Sequence, residues 1–300
     1  MSIEKVKVFR GVGTALVTPF KNGKIDFEAT ARLIEWQIEC GVSALVIGGT
    51  TGEAATLTDK ERYGLYAFAA QWIDGRCKLI LGTGTNDTRL ALQHTRQAKD
   101  IGCDGALLVT PYYNKGTEEG IFRHYSTIAE SVDIPIILYN VPSRTGVNLG
   151  LGLLERLSEI ENIVGIKEAG DSVDRLVALG SLSNALPLYS GNDSQIYPTL
   201  SLGGEGVISV ASNLYPKTMC KLCNAYFNGD LETGRRLQFE IMPFVRAIFA
   251  ETNPSPIKYA MAARSLISDE IRLPLSTPRE GTREMIDQAT SIMDRIECEL

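Results

Sequence analysis

A lysine at the end of an apolar run is the first residue of this chain that asks for a chemical explanation. The run Ile163-Val164-Gly165-Ile166-Lys167-Glu168 is bounded by polar turn-formers and reads as a strand buried on both faces. Lysine is rarely buried without a partner, and burial disfavours the ammonium relative to the neutral amine. A neutral amine attacks carbonyl carbon and forms a Schiff base. The competing reading is a snorkelling stem whose tip reaches water. Imine chemistry needs groups that donate and accept protons while the carbinolamine forms and dehydrates, and a tyrosine hydroxyl does both. Tyr139 ends the preceding apolar run, Pro135-Ile136-Ile137-Leu138-Tyr139. If those two strands are neighbours, Tyr139 and Lys167 stand side by side; otherwise Tyr139 is a core aromatic. In Gly48-Gly49-Thr50-Thr51-Gly52-Glu53, small residues let backbone approach a ligand and offer N–H groups to a carboxylate, or simply make a flexible turn. Arg144, within Pro142-Ser143-Arg144-Thr145-Gly146, can grip a carboxylate through two parallel bonds, although exposed loop arginines are common. Tyr112-Tyr113 suits a pocket or an interface.

These residues need elements to hold them. Strand-like runs at Gly13–Thr18, Ala44–Ile47, Lys78–Leu81, Gly105–Val109, Pro135–Tyr139, Ile163–Lys167, Leu186–Ser190 and Gly206–Val210 alternate with helical patterns. Asp26 is a plausible N-cap for a helix that Gly41 stops, and further helices begin near Asp59, Asp87 and Thr117. Eight strand–helix units predict an α/β fold, a (β/α)8 TIM barrel. A doubly wound sheet usually has fewer strands and a Gly-x-Gly-x-x-Gly after one of them, and no such motif follows a strand here. After Tyr215 the pattern is wholly helical, near residues 216–228, 230–250, 256–267 and 279–297, with Pro254, Pro256, Pro274 and Pro278 at the breaks. The expected division is a barrel catalytic domain over residues 1–229 and a C-terminal helical region over 230–300. A barrel gathers the residues at the C-terminal ends of its strands at one mouth. Here those residues include Thr50, Thr51, Tyr112, Tyr113, Tyr139, Lys167, Asp193 and Ile208, with Arg144 just beyond.

Composition narrows the class. A chain of 300 residues that is 44% hydrophobic and 22% charged is an ordinary globular protein. Its net charge of −6 is spread along the chain, and no basic run suggests nucleic acid. No stretch reaches the ~18 apolar residues of a membrane span, and Met1-Ser2-Ile3-Glu4-Lys5-Val6 lacks the apolar core of a signal peptide. The default location is the cytoplasm. Cys40, Cys77, Cys103 and Cys298 are scattered singly, as reduced cysteines are. Cys220-Lys221-Leu222-Cys223 has metal or redox spacing, but it has no second pair or nearby histidine and reads as helix packing. His94 and His124 lie far from the motifs, which leaves a histidine metal site or a Ser-His-Asp triad little support.

Together the motifs Gly48–Glu53, Tyr139-Asn140-Val141-Pro142-Ser143-Arg144-Thr145-Gly146 and Gly165-Ile166-Lys167-Glu168-Ala169 resemble the dihydrodipicolinate synthase family, from Gly11 to beyond Lys258. That family lies within the pyruvate-dependent class I aldolase and N-acetylneuraminate lyase superfamily. The resemblance implies a Schiff-base lyase that condenses pyruvate with L-aspartate-4-semialdehyde to 4-hydroxy-tetrahydrodipicolinate, in lysine and diaminopimelate biosynthesis, without metal or organic cofactor. It implies Lys167 as the imine-forming lysine and Tyr139 as general acid/base. Thr50 and Tyr113 would complete a hydroxyl relay, Thr51 and Ile208 would contact pyruvate, and Arg144 would receive the second substrate's carboxylate. In the family a neighbouring subunit supplies the second tyrosine, which implies a homo-oligomer, at least a dimer and usually a tetramer built as a dimer of dimers. The resemblance also takes in Asn253, without a clear role. A related sugar-acid aldolase, of N-acetylneuraminate or keto-deoxy-gluconate type, is the alternative. Those relatives generally carry Ser at the Thr50 position and lack Ser143-Arg144-Thr145-Gly146. A non-catalytic barrel that senses a keto acid fits poorly with a complete set of relay hydroxyls. One departure stands out: lysine-inhibited family members carry two histidines and a glutamate where this chain has Asp59, Arg62 and Leu90, although Asn86 and Tyr112 are kept. Weak sensitivity to L-lysine is the expectation.

Overall fold

Eight parallel strands close on themselves in a computed structural model that describes residues 5–182 and 186–300. Residues 1–4, on which part of the expectation about a leader rests, lie outside the described residues. The strands are Gly11–Ala15, Ala44–Ile47, Lys78–Gly82, Gly105–Val109, Ile136–Asn140, Ile163–Glu168, Leu188–Ser190 and Gly206–Ser209. The first pairs in parallel with both the second and the eighth, which closes the barrel. Leu, Ile and Val dominate the runs because one face of each strand looks into the barrel and the other meets a helix. Inside stand Ala15, Ala44, Val46, Ile80, Leu107, Ile137, Tyr139, Tyr189 and Ile208. At the N-terminal end Phe9 stacks on Tyr189 at 4.4 Å, and the Tyr189 hydroxyl donates to the Phe9 carbonyl at 2.8 Å.

The helices start where the caps predict. Asp26 accepts from the Ala29 amide to begin Phe27–Glu39. Thr58 and Glu61 form a reciprocal capping box at the start of Asp59–Ile73. Asp87 and Thr117 cap Thr88–Ile101 and Glu118–Ser131. One glycine is sterically required beneath the mouth: a Cβ on Gly82 would sit 2.2 Å from the Gly48 carbonyl oxygen.

Some boundaries differ from the sequence reading. The first strand is displaced toward the N-terminus, ending at Ala15, because the chain then turns away. The Val17 amide donates to Asn213 Oδ1 and the Thr18 hydroxyl to the Gly52 carbonyl. The seventh begins at Leu188, just after Pro187, which has no amide proton for a ladder. The eighth ends at Ser209 rather than Val210. The segment 230–250 is two helices, Leu231–Glu240 and Met242–Ile248, since Pro243 cannot donate back to an earlier turn. The next helix is only Ser255–Ala262, followed by Ser265 in the left-handed region at φ 56°. The last is Glu280–Cys298.

The C-terminal helices share a core with the barrel. Phe244, Ile257 and Met293 belong to one apolar cluster with Leu45 and Val207. Glu297 accepts from the amides of Lys217 and Thr218, at 2.9 and 2.8 Å, at the start of Pro216–Phe227. Among the described residues no helix is long and apolar enough to cross a membrane, and no cluster of three or more His, Cys, Asp or Glu could hold a metal ion.

One ion pair between these regions has a measurable consequence. Arg272 donates to Glu61 Oε2 at 3.0 Å, and its guanidinium holds the Glu61 carboxyl down at about 2, against 4.5 ordinarily. A carboxyl whose folded pKa is depressed contributes stability above its unfolded value and loses it as pH falls toward the folded one. We expect this contribution to be intact above about pH 4.5 and to fade between pH 4.5 and 2. Urea midpoints measured across that window should fall less steeply for Glu61→Gln than for the parent.

Candidate active site

Strand register brings the amine and the phenol together. Tyr139 and Lys167 are direct partners across the fifth and sixth strands, and Lys167 also pairs with Tyr189 on the seventh. Alternation along a strand then sends both side chains to the same face. The Lys167 Nζ lies 4.2 Å from the centroid of the Tyr139 ring. Lys167 is 5% exposed and Tyr139 7%, so the amine sits in a largely water-excluded mouth against the π-face of a phenol. Ile208, fully buried, is in the same interior cluster as Tyr139. The turn after its strand is held by Asp193, which follows the seventh strand and accepts from the Val210 and Ala211 amides at 3.1 and 2.9 Å. Burial pushes the Asp193 carboxyl upward.

The second strand delivers the threonines. Thr51 is buried and Thr50 half-buried. Thr51 Oγ1 accepts from Asn253 Nδ2 at 2.9 Å, and the Asn253 carbonyl accepts from Arg144 Nη2 at 3.0 Å. A single residue of the C-terminal turn thus bridges a buried threonine and an exposed arginine that sequence reading treated as independent. Sequence inspection singled out the Asn253 turn without assigning it this bridge, because the contact spans 202 residues.

The threonine loop ends on Glu53, a non-glycine residue at φ 54°. Its Oε1 meets the Lys258 Nζ at 2.6 Å, and its Oε2 accepts from the Arg272 amide at 3.0 Å. Lys258 also donates to the Thr18 carbonyl at 3.1 Å. Both side chains are sealed from solvent, at 1% for Lys258 and 0% for Glu53. Burial pulls the Lys258 ammonium down while Glu53 pushes it back up. Lys258 and Lys167 therefore differ in environment: Lys258 has the Glu53 carboxylate as well as the Phe20 ring, whereas Lys167 lies against the Tyr139 ring.

Arg144 rides on the short helix Pro142–Thr145, which Val141 alone separates from the fifth strand. Tyr113 stands apart. It is 91% exposed, at φ 69°, and the Asn114 amide donates to the Tyr112 carbonyl at 2.9 Å around it. That is a γ-turn of the rare, strained kind. Within this chain, then, Lys167, Tyr139 and Ile208 share the interior of the barrel, Thr51 and Arg144 are joined through Asn253, and Tyr113 projects into solvent.

Comparison with known proteins finds relatives of this sequence and fold. The model of the Dihydrodipicolinate synthetase family matches residues 8–293. A 4-hydroxy-tetrahydrodipicolinate synthase of Thermotoga neapolitana is 47% identical over 93% of this chain and 97% of its own. The crystal structure of dihydrodipicolinate synthase from Thermotoga maritima superposes with a TM-score of 0.94 at 44% identity, covering 96% of this chain and 99% of that one. The chloride-inhibited dihydrodipicolinate synthase of Acinetobacter baumannii, solved in complex with pyruvate, gives 0.92 at 42%, covering 95% and 99%.

Proposed function

The chain belongs to the dihydrodipicolinate synthetase family, and from that premise we propose how its mouth condenses pyruvate with L-aspartate-4-semialdehyde. The observation that carries the reading is the Lys167 amine, 4.2 Å over the Tyr139 ring and 5% exposed. The amine adds to the pyruvate C2 carbonyl, and Tyr139 moves the protons that turn the carbinolamine hydroxyl into departing water. Loss of a C3 proton converts the imine to an enamine. That carbon attacks the aldehyde of the second substrate, whose oxygen takes up a proton. The substrate's own amino group then adds to C2 and expels the Lys167 amine, closing the ring as 4-hydroxy-tetrahydrodipicolinate. Thr51 and Ile208 receive pyruvate; Arg144 receives the carboxylate of the semialdehyde; Thr50 and Tyr113 extend the proton relay from Tyr139. No metal or organic cofactor enters these steps. The test is turnover of pyruvate with L-aspartate-4-semialdehyde, coupled to a reductase that consumes the product, beside cleavage assays with N-acetylneuraminate and keto-deoxy-gluconate. Turnover confined to the sugar acids would overturn the reading.

Tyr113 reaches a relay only if it enters a neighbouring copy's mouth, and its exposure and strained turn suit that role. We therefore propose a homo-oligomer, a tetramer arranged as a dimer of dimers; full activity at concentrations where sedimentation shows only monomer would overturn Tyr113's part. The free cysteines suit the reducing cytoplasm.

Asn253→Ala would leave Thr51 without its amide partner but keep the backbone carbonyl that Arg144 bonds. At ~1 kcal/mol for the lost hydrogen bond, KM for pyruvate should rise about fivefold while that for the semialdehyde stays near the parent's. Steady-state kinetics with each substrate varied in turn provide the check. Sensitivity to L-lysine should be weak. Asp59 is engaged by His94 Nε2 at 3.2 Å and Arg62 by the Ala54 carbonyl at 2.8 Å, while Leu90 offers no polar group. Half-inhibition below low-millimolar L-lysine would refute this.

A further inference from the structure

We propose that Asn140 and Glu168 are positioning residues that set the spacing of Lys167, Tyr139 and Arg144; this rests on the imine reading of Lys167. Each directly follows one of the two reacting residues, and the two are register partners across the same strands. Alternation turns them away from the mouth, into the layer between barrel and helices. Both are fully buried. Asn140 Nδ2 donates to Glu168 Oε1 and Oε2 at 2.9 and 3.0 Å. Glu168 also accepts from the Gly170 amide at 2.8 Å and pairs with Arg175 Nε at 3.2 Å. Backbone bonds continue the clamp, from the Ala169 amide to the Asn140 carbonyl at 2.9 Å and from Gly191 to the Glu168 carbonyl at 2.6 Å.

Asn140 also holds the far end of the Arg144 loop. Its Oδ1 accepts from the Leu149 amide at 3.1 Å, and its Nδ2 donates to Asn148 Oδ1 at 2.8 Å. The loop therefore leaves the strand at Val141 and is returned to it at Asn148 and Leu149. One donor–acceptor pair fixes the amine against the ring and the arginine beside them. A fully buried carboxylate needs partners in good geometry. Gly170 and Arg175 meet part of that need locally, and the Asn140 bonds join it in the register that places Tyr139 opposite Lys167.

The pair has a definite polarity: Asn140 presents its amide group and Glu168 accepts. Glu168→Gln can set amide against amide, and Asn140→Asp sets carboxylate against carboxylate. Either single variant should slow borohydride trapping of the pyruvate adduct by about tenfold to a hundredfold, the scale on which small misplacements of reacting groups act. The double variant Asn140→Asp with Glu168→Gln reverses the polarity, with Gln donating and Asp accepting. It should recover most of the trapping rate. A third variant, Asn148→Ala, lies on an exposed loop residue and keeps the fold testable if the buried variants misfold. It should raise KM for L-aspartate-4-semialdehyde severalfold with pyruvate trapping unchanged. Parent-like trapping in both folded single variants, no recovery in the folded double variant, or an unchanged KM in Asn148→Ala would overturn the proposal. Absence of any trapped adduct in the parent protein would instead overturn the imine reading, which separates the two failures.

Discussion

Lys167→Ala is expected to abolish the borohydride-trapped pyruvate adduct and to lower kcat by at least about a thousandfold, since no other group in the mouth replaces a covalent nucleophile. The fold should survive. The side chain lies over a phenol ring rather than in an ion pair like that of Lys258, so truncation breaks no direct buried ion pair. Mass spectrometry after reduction should show the mass of the trapped three-carbon adduct on one peptide of the parent, the one containing Lys167, and none on the variant. Tyr139→Phe separates chemistry from packing. It keeps the ring against the amine and removes only the proton-transferring oxygen. Trapping should persist but slow by about 10²–10⁴-fold, the usual contribution of a positioned acid/base. An adduct that survives in Lys167→Ala would move the chemistry to another amine, Lys258 being the other deeply buried lysine near the threonine loop.

Lys258→Met should destabilise the protein by about 3–5 kcal/mol, because it strands the Glu53 carboxylate in a solvent-free site. Glu53→Gln should cost less, since a neutral amide keeps an oxygen for the Arg272 amide, which bonds Glu53 Oε2 at 3.0 Å. The double variant should be more stable than Lys258→Met alone, as removing both charges avoids the lone buried one. Denaturant unfolding of the three variants supplies the comparison. Equal loss in Lys258→Met and the double variant would show that the pair's charge contributes little. Activity should fall in parallel, because Glu53 ends the loop that carries Thr50 and Thr51.

Much of the mouth was legible in the chain because the barrel's rules are local. An apolar run of four to six residues followed by an N-cap identifies a strand and the helix after it, and the residue at the run's end must then lie at the open face. Lys167, Tyr139 and Thr51 were found in that way, and the register of the fifth and sixth strands brought the first two together as adjacency requires. The helix starts at Asp26, Thr58, Asp87 and Thr117 follow from hydrogen bonds spanning two or three residues. Strand ends were less legible. The turn after Ala15 depends on Asn213 and Gly52, which no window around the first strand contains.

What the sequence by itself determined was the kind of architecture and which residues stand as candidates at the strand ends, since periodicity, capping and residue chemistry act over a few positions. Only the tertiary structure decided how those groups are held: Asn253 spanning Thr51 and Arg144, Lys258 sealing Glu53, and Asn140 meeting Glu168 behind the reacting pair. Those contacts join residues 28 to 205 positions apart. Their strength comes from the exclusion of water around them, and burial is a property of the closed barrel rather than of any segment within it.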